Sequence, residues 1–156
     1  MKNINIYLWS SVKTLKPAET LNAAVGYIVQ SQTSKGPAEI GKTILLDQLY
    51  AKTTANHSEM VALKMALSRI NIKCELNIYT ENQYIASAIE NGWLAEWRSN
   101  GWKTKSGKEC ANKDEWQQLD KLIEGNEIHF HVKEPHEFKN WLKNEVEENR
   151  EFIKRR

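Results

Sequence analysis

Residues 78–116 hold most of the side chains in this chain that could do chemistry. The stretch begins as a β-prone run, crosses the acidic residue Glu81 into a helical pattern, and then brings three tryptophans together with lysine and arginine. An acid at the end of a buried strand stands where α/β folds tend to place a reaction. Aromatic platforms interleaved with cations suit binding to a nucleic-acid backbone. This block therefore predicts a functional strand end beside a nucleic-acid surface.

Four short motifs follow one another in this block, and a fifth lies upstream. They are Thr80-Glu81-Asn82-Gln83-Tyr84, the pair Trp93 and Trp97, Asn100-Gly101-Trp102-Lys103-Thr104, the pair Asn112 and Trp116, and the upstream Thr54-Ala55-Asn56-His57-Ser58-Glu59. Their order resembles ribonuclease H of the type 1 class, which has T-D-S-Q-Y, W-x-x-x-W, N-G-W-K-T, N-x-x-x-W and T-N-N-x-x-E. The resemblance spans roughly residues 4–150. It implies hydrolysis of the RNA strand of RNA–DNA hybrids.

The resemblance implies a reaction that uses four acidic residues and two divalent cations, Mg²⁺ or Mn²⁺. The cations activate a water and stabilise the leaving oxygen of the phosphodiester, and Mg²⁺ prefers oxygen ligands. Glu59 matches the second family acid, and Glu81 matches the third with a side chain one methylene longer than the family's Asp. If the site has lost its activity, no cofactor is expected.

The first and fourth acids depart from the family pattern. The string Ile6-Tyr7-Leu8-Trp9-Ser10-Ser11 matches I-Y-T-D-G-S, so Trp9 replaces the acid that would bridge both metals. An indole has no acceptor lone pair and cannot bind Mg²⁺. The fourth acid is Asn144 by the pattern N-x-x-x-D-E-L, or Glu145 by an ungapped count from the preceding strand. His136 is a loose match for the family's loop histidine that assists product release.

Each acid also has an ordinary structural explanation. Glu59 could be a first-turn acid that the helix macrodipole favours. Thr80 and Gln83 have the spacing of a capping box, which would make Glu81 another first-turn acid. The acids of the tail are typical of a solvated helix face: Glu145, Glu147, Glu148 and Glu151. The functional and the structural explanations both stay open on the sequence alone.

A basic and aromatic segment matches the family's protrusion, which grips the DNA strand of a hybrid. Its residues are Trp93, Trp97, Arg98, Trp102, Lys103, Thr104, Lys105 and Lys108. Three amide residues match family positions that contact the hybrid backbone in the minor groove, where 2′-hydroxyls distinguish RNA from DNA: Asn56, Gln83 and Asn112. Taken without the resemblance, tryptophans four residues apart indicate packing more often than base stacking.

The composition is that of one domain, residues 1–156. A chain of 156 residues with 40% hydrophobic content can bury a single core. The net charge of +2 gives no global basic field, so nucleic-acid binding must depend on local clustering. Cys74 and Cys110 lack metal-like spacing, and His129 and His131 lack a third ligand at a spacing typical of zinc. Without an apolar leader or membrane-length run, a soluble, cytoplasmic protein is expected.

The hydrophobic pattern predicts an α/β fold with three strands, a helix, a strand, helices, a strand and a final helix. The strands are Ile4–Trp9, Ala23–Gln30, Thr43–Tyr50, Cys74–Thr80 and Glu127–Lys133, with a turn region over 31–42. Helices are predicted over 56–70, 82–91, 93–99, 113–123 and from 138 onward. This order predicts a five-stranded mixed sheet with helices on both faces, which is the ribonuclease H-like fold.

Three functions from different classes are compatible with the sequence. The first is a ribonuclease H-like protein with an impaired metal site, which binds an RNA–DNA hybrid or another nucleic acid rather than cleaving it. The second is an active but atypical ribonuclease H that uses Glu59, Glu81 and Glu145. The third retains the fold as a module for binding a protein partner. The replaced acid at Trp9 favours the first.

Overall fold

The computed structural model describes residues 1–148, which form a five-stranded mixed sheet with helices on both faces. The sheet strands are β1 (Lys2–Ser10), β3 (Ala24–Thr33), β4 (Gly36–Leu45), β6 (Cys74–Thr80) and β7 (Glu127–Val132), in the spatial order β4-β3-β1-β6-β7. β1 pairs antiparallel with β3 and parallel with β6. Two short strands, β2 (Ala18–Glu19) and β5 (Lys52–Thr53), form a separate pair. The predicted fold class is confirmed.

The helices follow the predicted order in the described part of the chain. They are α1 (Ala55–Leu67), α2 (Gln83–Glu90), α3 (Trp93–Ser99), α4 (Lys113–Ile123) and α5 (Lys139–Glu147). Thr54 caps α1 by accepting a hydrogen bond from the backbone N–H of His57, and Asn82 caps α2 in the same way from Ile85. The predicted tail helix is confirmed up to Glu147, and Glu151, predicted on its solvated face, lies outside the described residues.

The predicted strand Thr43–Tyr50 is wrong. β4 covers Gly36–Leu45 and is followed by a 3-10 turn over Leu46–Gln48. The predicted turn region 31–42 is instead a tight hairpin: Thr33 Oγ1 donates to Gly36 O at 2.6 Å, and Gly36 adopts a φ of 105°. Pro37 lies within β4, where it is tolerated because β4 is an edge strand.

Alternation along β1 divides the apolar core between the two faces of the sheet. Ile4, Ile6 and Leu8 point to the larger cluster, which includes α1, α2, α4 and the fully buried Trp116. Tyr7 and Trp9 point to the opposite, smaller cluster, where Phe138, Leu142 and Val146 bring in α5. A strand with period two delivers alternate side chains to opposite faces. This alternation therefore directs Trp9 towards α5.

Gly26 leaves the space that lets α5 approach the sheet beside Trp9. It is the register partner of Trp9, and a Cβ at this position would overlap Val146 Cγ2 and lie 3.1 Å from Leu142 Cδ1. We expect Gly26→Ala to lower the free energy of unfolding by about 1–3 kcal/mol, because a close-packed core cannot absorb a methyl without shifts. Urea unfolding measures the change. The control is Gln32→Ala, at an exposed position of the same strand, which should change the free energy of unfolding by less than about 0.5 kcal/mol. Equal changes in the two variants would contradict the close packing of α5 on Gly26.

Within residues 1–148 no helix is long and apolar enough to cross a membrane. Both cysteines are free and buried. The cytoplasmic location stays a prediction.

Candidate active site and nucleic-acid interface

The carboxyl ends of β1 and β6 meet at one edge of the sheet. The two strands are parallel neighbours, with Tyr7 opposite Tyr79. Trp9 and Glu81 each lie two residues beyond this pair, so both reach the same edge. Glu59 on α1 joins them, since Thr80 Oγ1 donates to Glu59 Oε2 at 2.9 Å. Three of the predicted site positions are thus brought together.

Glu59 is a buried carboxyl, with 4% of its surface exposed. Burial raises the pKa of Glu59 to about 7; the hydrogen bond from Thr80 and the charge of Lys13 oppose this rise, and the charge of Glu81 adds to it. An isolated first-turn acid at the surface would not be desolvated in this way. The geometry therefore favours a site position over the macrodipole explanation.

The raised pKa predicts a pH-dependent effect of Glu59→Gln. A carboxyl whose folded pKa lies above its unfolded value carries no penalty at low pH, and it loses stability as pH rises from about 4.5 to 7. Gln removes this penalty and keeps an acceptor for Thr80. We expect Glu59→Gln to stabilise by about 2–3 kcal/mol at pH 8 and little at pH 4.5. Urea unfolding at both values checks this.

A matched control for this pH effect is Glu96→Gln, at an exposed position of α3. It should leave stability nearly unchanged at both pH values. A Glu59→Gln protein that is less stable than the parent at pH 8 would show that the ionised carboxylate is compensated, and would overturn this interpretation of Glu59.

Trp9, which the sequence resemblance matches to the first family acid, is a structural side chain. Only 8% of its surface is exposed, and its ring packs in the smaller core cluster. Indole Nε1 donates to Glu147 Oε1 at 3.2 Å. The ammonium of Lys13 lies 4.5 Å from the ring centroid and that of Lys143 lies 5.6 Å away, within the range of cation–π attraction. The following residue, Ser10, shares a buried 2.7 Å hydrogen bond with Ser58.

Glu81 is paired with an ammonium group. Lys139 Nζ lies 3.2 Å from Glu81 Oε2, and both side chains are about one-third exposed. The predicted capping box is wrong, because α2 begins at Gln83 and is capped by Asn82. Thr80 Oγ1 instead accepts from the backbone N–H of Asn82 and donates to Glu59. Glu81 therefore precedes the helix and projects to the edge of the sheet.

The two candidates for the fourth acid, Asn144 and Glu145, lie away from the stripe of α5 that contacts this edge. Lys139, Lys143 and Glu147 are spaced by four residues on α5, so they share one stripe, and this stripe contacts Glu81 and Trp9. At about 100° per residue, Asn144 lies about 100° and Glu145 about 160° around the axis from Lys143. Asn144 is exposed and Glu145 half-buried. Their role in a site stays a prediction.

His136 packs on the aromatic side chains beneath this edge. Its ring centroid lies 4.6 Å from that of Tyr7 and 5.4 Å from that of Tyr79, and its Nδ1 accepts a hydrogen bond from the backbone N–H of Phe138. Burial, with the charge of Lys139, lowers the pKa of His136 to about 4. The imidazole is therefore neutral near pH 7. These contacts are structural, and a role in product release stays a prediction.

These side chains do not fit a pair of divalent cations. Trp9, at the position that the resemblance matches to the bridging acid, offers no lone pair. Glu81 already faces the ammonium of Lys139, and burial favours the neutral form of Glu59. An ammonium beside a carboxylate repels a divalent ion from the same oxygens. We therefore derive no reaction step through bound metal.

A second acidic group lies at the other end of β6. The ligand atoms of Glu75, Glu127 and His129 lie within 4.8 Å of one another, and His129 Nε2 is 3.3 Å from Glu75 Oε1. Six residues of strand separate Glu75 from Glu81, a span of about 20 Å. This group is therefore not part of the edge formed by Glu59 and Glu81.

The tryptophans of the predicted interface mainly pack against the protein. Trp97 lies 5.8 Å from the fully buried Trp116 and 6.4 Å from Trp93, measured between ring centroids. Trp97 and Trp102 both pack on the larger core cluster. Trp93 is 37% exposed, which leaves part of its ring accessible. The packing explanation is thus supported for Trp97 and Trp102, and base stacking stays a prediction for Trp93.

The cations of this segment divide into a paired arginine and exposed lysines. Both Arg98 Nε and Arg98 Nη2 donate to Asp120 at 2.9 Å, so the guanidinium ties α3 to α4. Lys103 and Lys105 are exposed and line an open cleft of about 740 Å³. The other lining residues are Trp93, Glu96, Trp97, Ser99, Asn100 and Thr104. Lys108, also exposed, extends the same basic loop.

The three predicted amides lie on α1, on α2 and just before α4. Asn56 Oδ1 accepts from Asn82 Nδ2 at 2.8 Å, next to the candidate site. Gln83 Nε2 donates to Ser87 Oγ along the exposed side of α2. Asn112 precedes α4 with a φ of 59°. Backbone contacts by these amides stay a prediction.

Sequence reasoning missed the lysines at the site. Lys13 comes from the segment after β1, and Lys139 and Lys143 come from α5. No spacing rule connects residues separated by more than 120 positions. The i, i+4 spacing of Lys139 and Lys143 was a usable signal, since it places both on one helical stripe.

The sequence of the chain is similar to those of ribonuclease H proteins. A family model described as RNase H matches residues 10–150. Ribonuclease H of Nitratidesulfovibrio vulgaris is 40% identical over 82 residues, 53% of each chain. Ribonuclease H of Francisella tularensis subsp. novicida is 43% identical over 76 residues, 49% of each chain. The chain spans about half the length of the curated relatives it matches.

Solved structures show the same fold. LC9-RNase H1, described as a type 1 RNase H with the type 2 active-site motif, superposes with a TM-score of 0.67 at 17% identity, covering 97% of this chain and 75% of that one. The foamy viral protease-reverse transcriptase in complex with an RNA/DNA hybrid superposes with a TM-score of 0.58 at 17% identity, covering 92% of this chain and 18% of that one.

Proposed function

Because the chain belongs to the ribonuclease H family, we propose that it is a single ribonuclease H-like domain that binds RNA–DNA hybrids or related nucleic acids without efficient two-metal hydrolysis. One observation carries the proposal: Trp9, which the resemblance matches to the bridging acid, is buried under α5. The side chain cannot turn away to admit a metal ion without breaking the core. Binding does not require that acid.

The proposed binding surface combines the basic loop with the strand edge. Lys103, Lys105 and Lys108 supply exposed positive charge, and Trp93 supplies a partly exposed ring. Each ammonium that neutralises a phosphate releases a condensed counterion, so affinity should fall steeply with salt. Arg98 contributes mainly by fixing α3 on α4.

Binding can be measured by fluorescence anisotropy with a labelled RNA–DNA hybrid at low salt. We expect Lys103→Ala combined with Lys105→Ala to weaken the affinity by about 10-fold and to reduce the salt slope by about 2. The charge-matched control is Lys2→Gln combined with Lys35→Gln, both exposed and remote from the loop. Equal losses in both double variants would contradict the assignment of this surface. A parent protein that binds no hybrid would favour the protein-interaction alternative.

Hydrolysis is the second candidate function. The curated relatives are named ribonuclease H, and Glu59 retains its place beside Thr80. In this case Glu59 and Glu81, with Glu145 if α5 shifts, would have to hold Mg²⁺ or Mn²⁺ without the bridging acid. Mg²⁺-dependent cutting of the hybrid, abolished by Glu59→Gln, would replace the binding proposal with this one.

A further inference from the structure

Three lysines, Lys13, Lys139 and Lys143, converge on the edge where the family reaction would take place; we refer to them as the lysine cluster. Lys13 Nζ donates to the carbonyl of Ser10 at 3.1 Å and lies 4.5 Å from the Trp9 ring centroid. Lys143 Nζ lies 5.6 Å from the same centroid. Lys139 Nζ lies 3.2 Å from Glu81 Oε2. Residues far apart in sequence thus place two ammonium groups over the Trp9 indole and a third beside Glu81.

The formal charge of this edge is not strongly negative. The lysine cluster brings three positive charges, and the carboxyl groups are Glu81, Glu147 and the buried Glu59, whose neutral form burial favours. A family site with four acids would be strongly negative without its metal ions and would repel a phosphodiester. Here the repulsion is offset by side chains of the chain itself. Coulomb attraction near a protein surface is stronger than in bulk water, so these ammonium groups change which ion the edge accepts.

Two members of the cluster are available to an anion. Lys13 and Lys143 are both exposed, and the ion pairs within 4 Å found over residues 1–148 include neither of them. Their ammonium groups are held near the buried Trp9 ring by cation–π contact, which reduces the cost of ordering them. Each still offers N–H donors to solvent. A compact ammonium is a suitable partner for phosphate oxygens.

We propose that the lysine cluster binds a backbone phosphate of the nucleic-acid strand at the place where family members hold metal ions, so that the chain engages its ligand without divalent cations. The inference rests on the proposed nucleic-acid binding and names the contact that replaces the metal site. Lys13 and Lys143 contact the phosphate, and Lys139 neutralises Glu81. The Trp9 ring acts as the platform between the two phosphate-binding ammonium groups.

Anisotropy with a labelled RNA–DNA hybrid in EDTA tests the proposal. We expect the parent protein to bind in EDTA at least as tightly as in Mg²⁺, because Mg²⁺ competes for the phosphates as a counterion. Lys13→Gln combined with Lys143→Gln should weaken the affinity by about 10-fold and make the salt slope shallower by about 1, because the one phosphate that both ammonium groups contact is no longer neutralised. The charge-matched control, Lys2→Gln combined with Lys35→Gln, should change the affinity by less than about 3-fold.

The outcomes separate this inference from the proposed function. Lys13→Arg combined with Lys143→Arg should retain most of the affinity, since both charges stay. If the two Gln double variants lose affinity equally, or the Lys13 and Lys143 double variant loses none, the lysine cluster is not a phosphate contact, although hybrid binding stands. If the parent requires Mg²⁺ to bind, the metal-free contact is wrong. If the parent binds no hybrid in either condition, the proposed function itself fails.

Discussion

A Trp9→Ala protein is expected to unfold with a free energy about 3–5 kcal/mol below that of the parent. Trp9 is 8% exposed and packs against Phe138, Leu142 and Val146. Truncating a large buried aromatic side chain loses its transfer free energy and leaves a cavity that the core fills only in part. The hydrogen bond to Glu147 is also lost. Urea unfolding followed by circular dichroism measures the change.

Trp141→Ala is the matched control for the Trp9 variant. Trp141 also lies on the α5 side of the sheet but is 38% exposed. Trp141→Ala should therefore lower the free energy of unfolding by less than about 1.5 kcal/mol. If Trp9→Ala lowers the free energy of unfolding no more than Trp141→Ala does, the indole at position 9 does not stabilise the core. The burial of Trp9 would then be no evidence against a metal site.

A Glu115→Ala protein is expected to lose about 2–4 kcal/mol of stability at pH 7. Glu115 lies on α4 and is 9% exposed. Lys64 Nζ on α1 lies 2.7 Å from its Oε2, His57 Nε2 lies 3.6 Å from its Oε1, and Tyr50 donates to the same oxygen at 3.4 Å. Removing the carboxylate leaves the Lys64 ammonium, with only 16% of its side chain exposed, without compensation.

The effect of Glu115→Ala should depend on pH. The His57 imidazole, 3.6 Å from the carboxylate, and the pairing with Lys64 lower the pKa of Glu115 to about 2, against the opposing effect of burial. A carboxyl with a lowered folded pKa contributes stability above about pH 4.5 and loses it as pH falls towards 2. The difference in the free energy of unfolding between Glu115→Ala and the parent should therefore become smaller as the pH falls from 5 to 3. Asp114→Ala, the exposed neighbour on α4, should cost less than about 1 kcal/mol. If the stability difference between Glu115→Ala and the parent did not change with pH, the ion pair of Glu115 with Lys64 would not be its cause.

The sequence predicts the sheet and its helices because the hydrophobic periods are clear in most elements. Cys74–Thr80 alternates between buried and half-buried positions and was predicted to the residue. The third strand was misplaced because its hairpin contains glycine and proline, which usually indicate a turn. On the edge strand β4 the proline costs no ladder bond, and Gly36 supplies the positive φ that the turn needs.

Only the residues of the candidate site that lie in local sequence motifs could be predicted. Glu59, Glu81 and Trp9 follow from strings that resemble the family. The ammonium partners do not, because pairing between Lys139 and Glu81 depends on how α5 crosses the sheet. The same limit applies to Arg98, which matches a binding position but is held by Asp120 from another helix. Such tertiary pairings leave no periodic signal in the chain.

Incubation of the protein with a labelled RNA–DNA hybrid in Mg²⁺ or Mn²⁺ tests the central claim most directly. Denaturing gels report cleavage of the RNA strand, and anisotropy on the same samples reports binding. We expect an intact RNA strand, bound in EDTA at least as tightly as in the metal ions. RNA cleaved only with the metal ions, and left intact by a Glu59→Gln protein that still binds the hybrid, would contradict it.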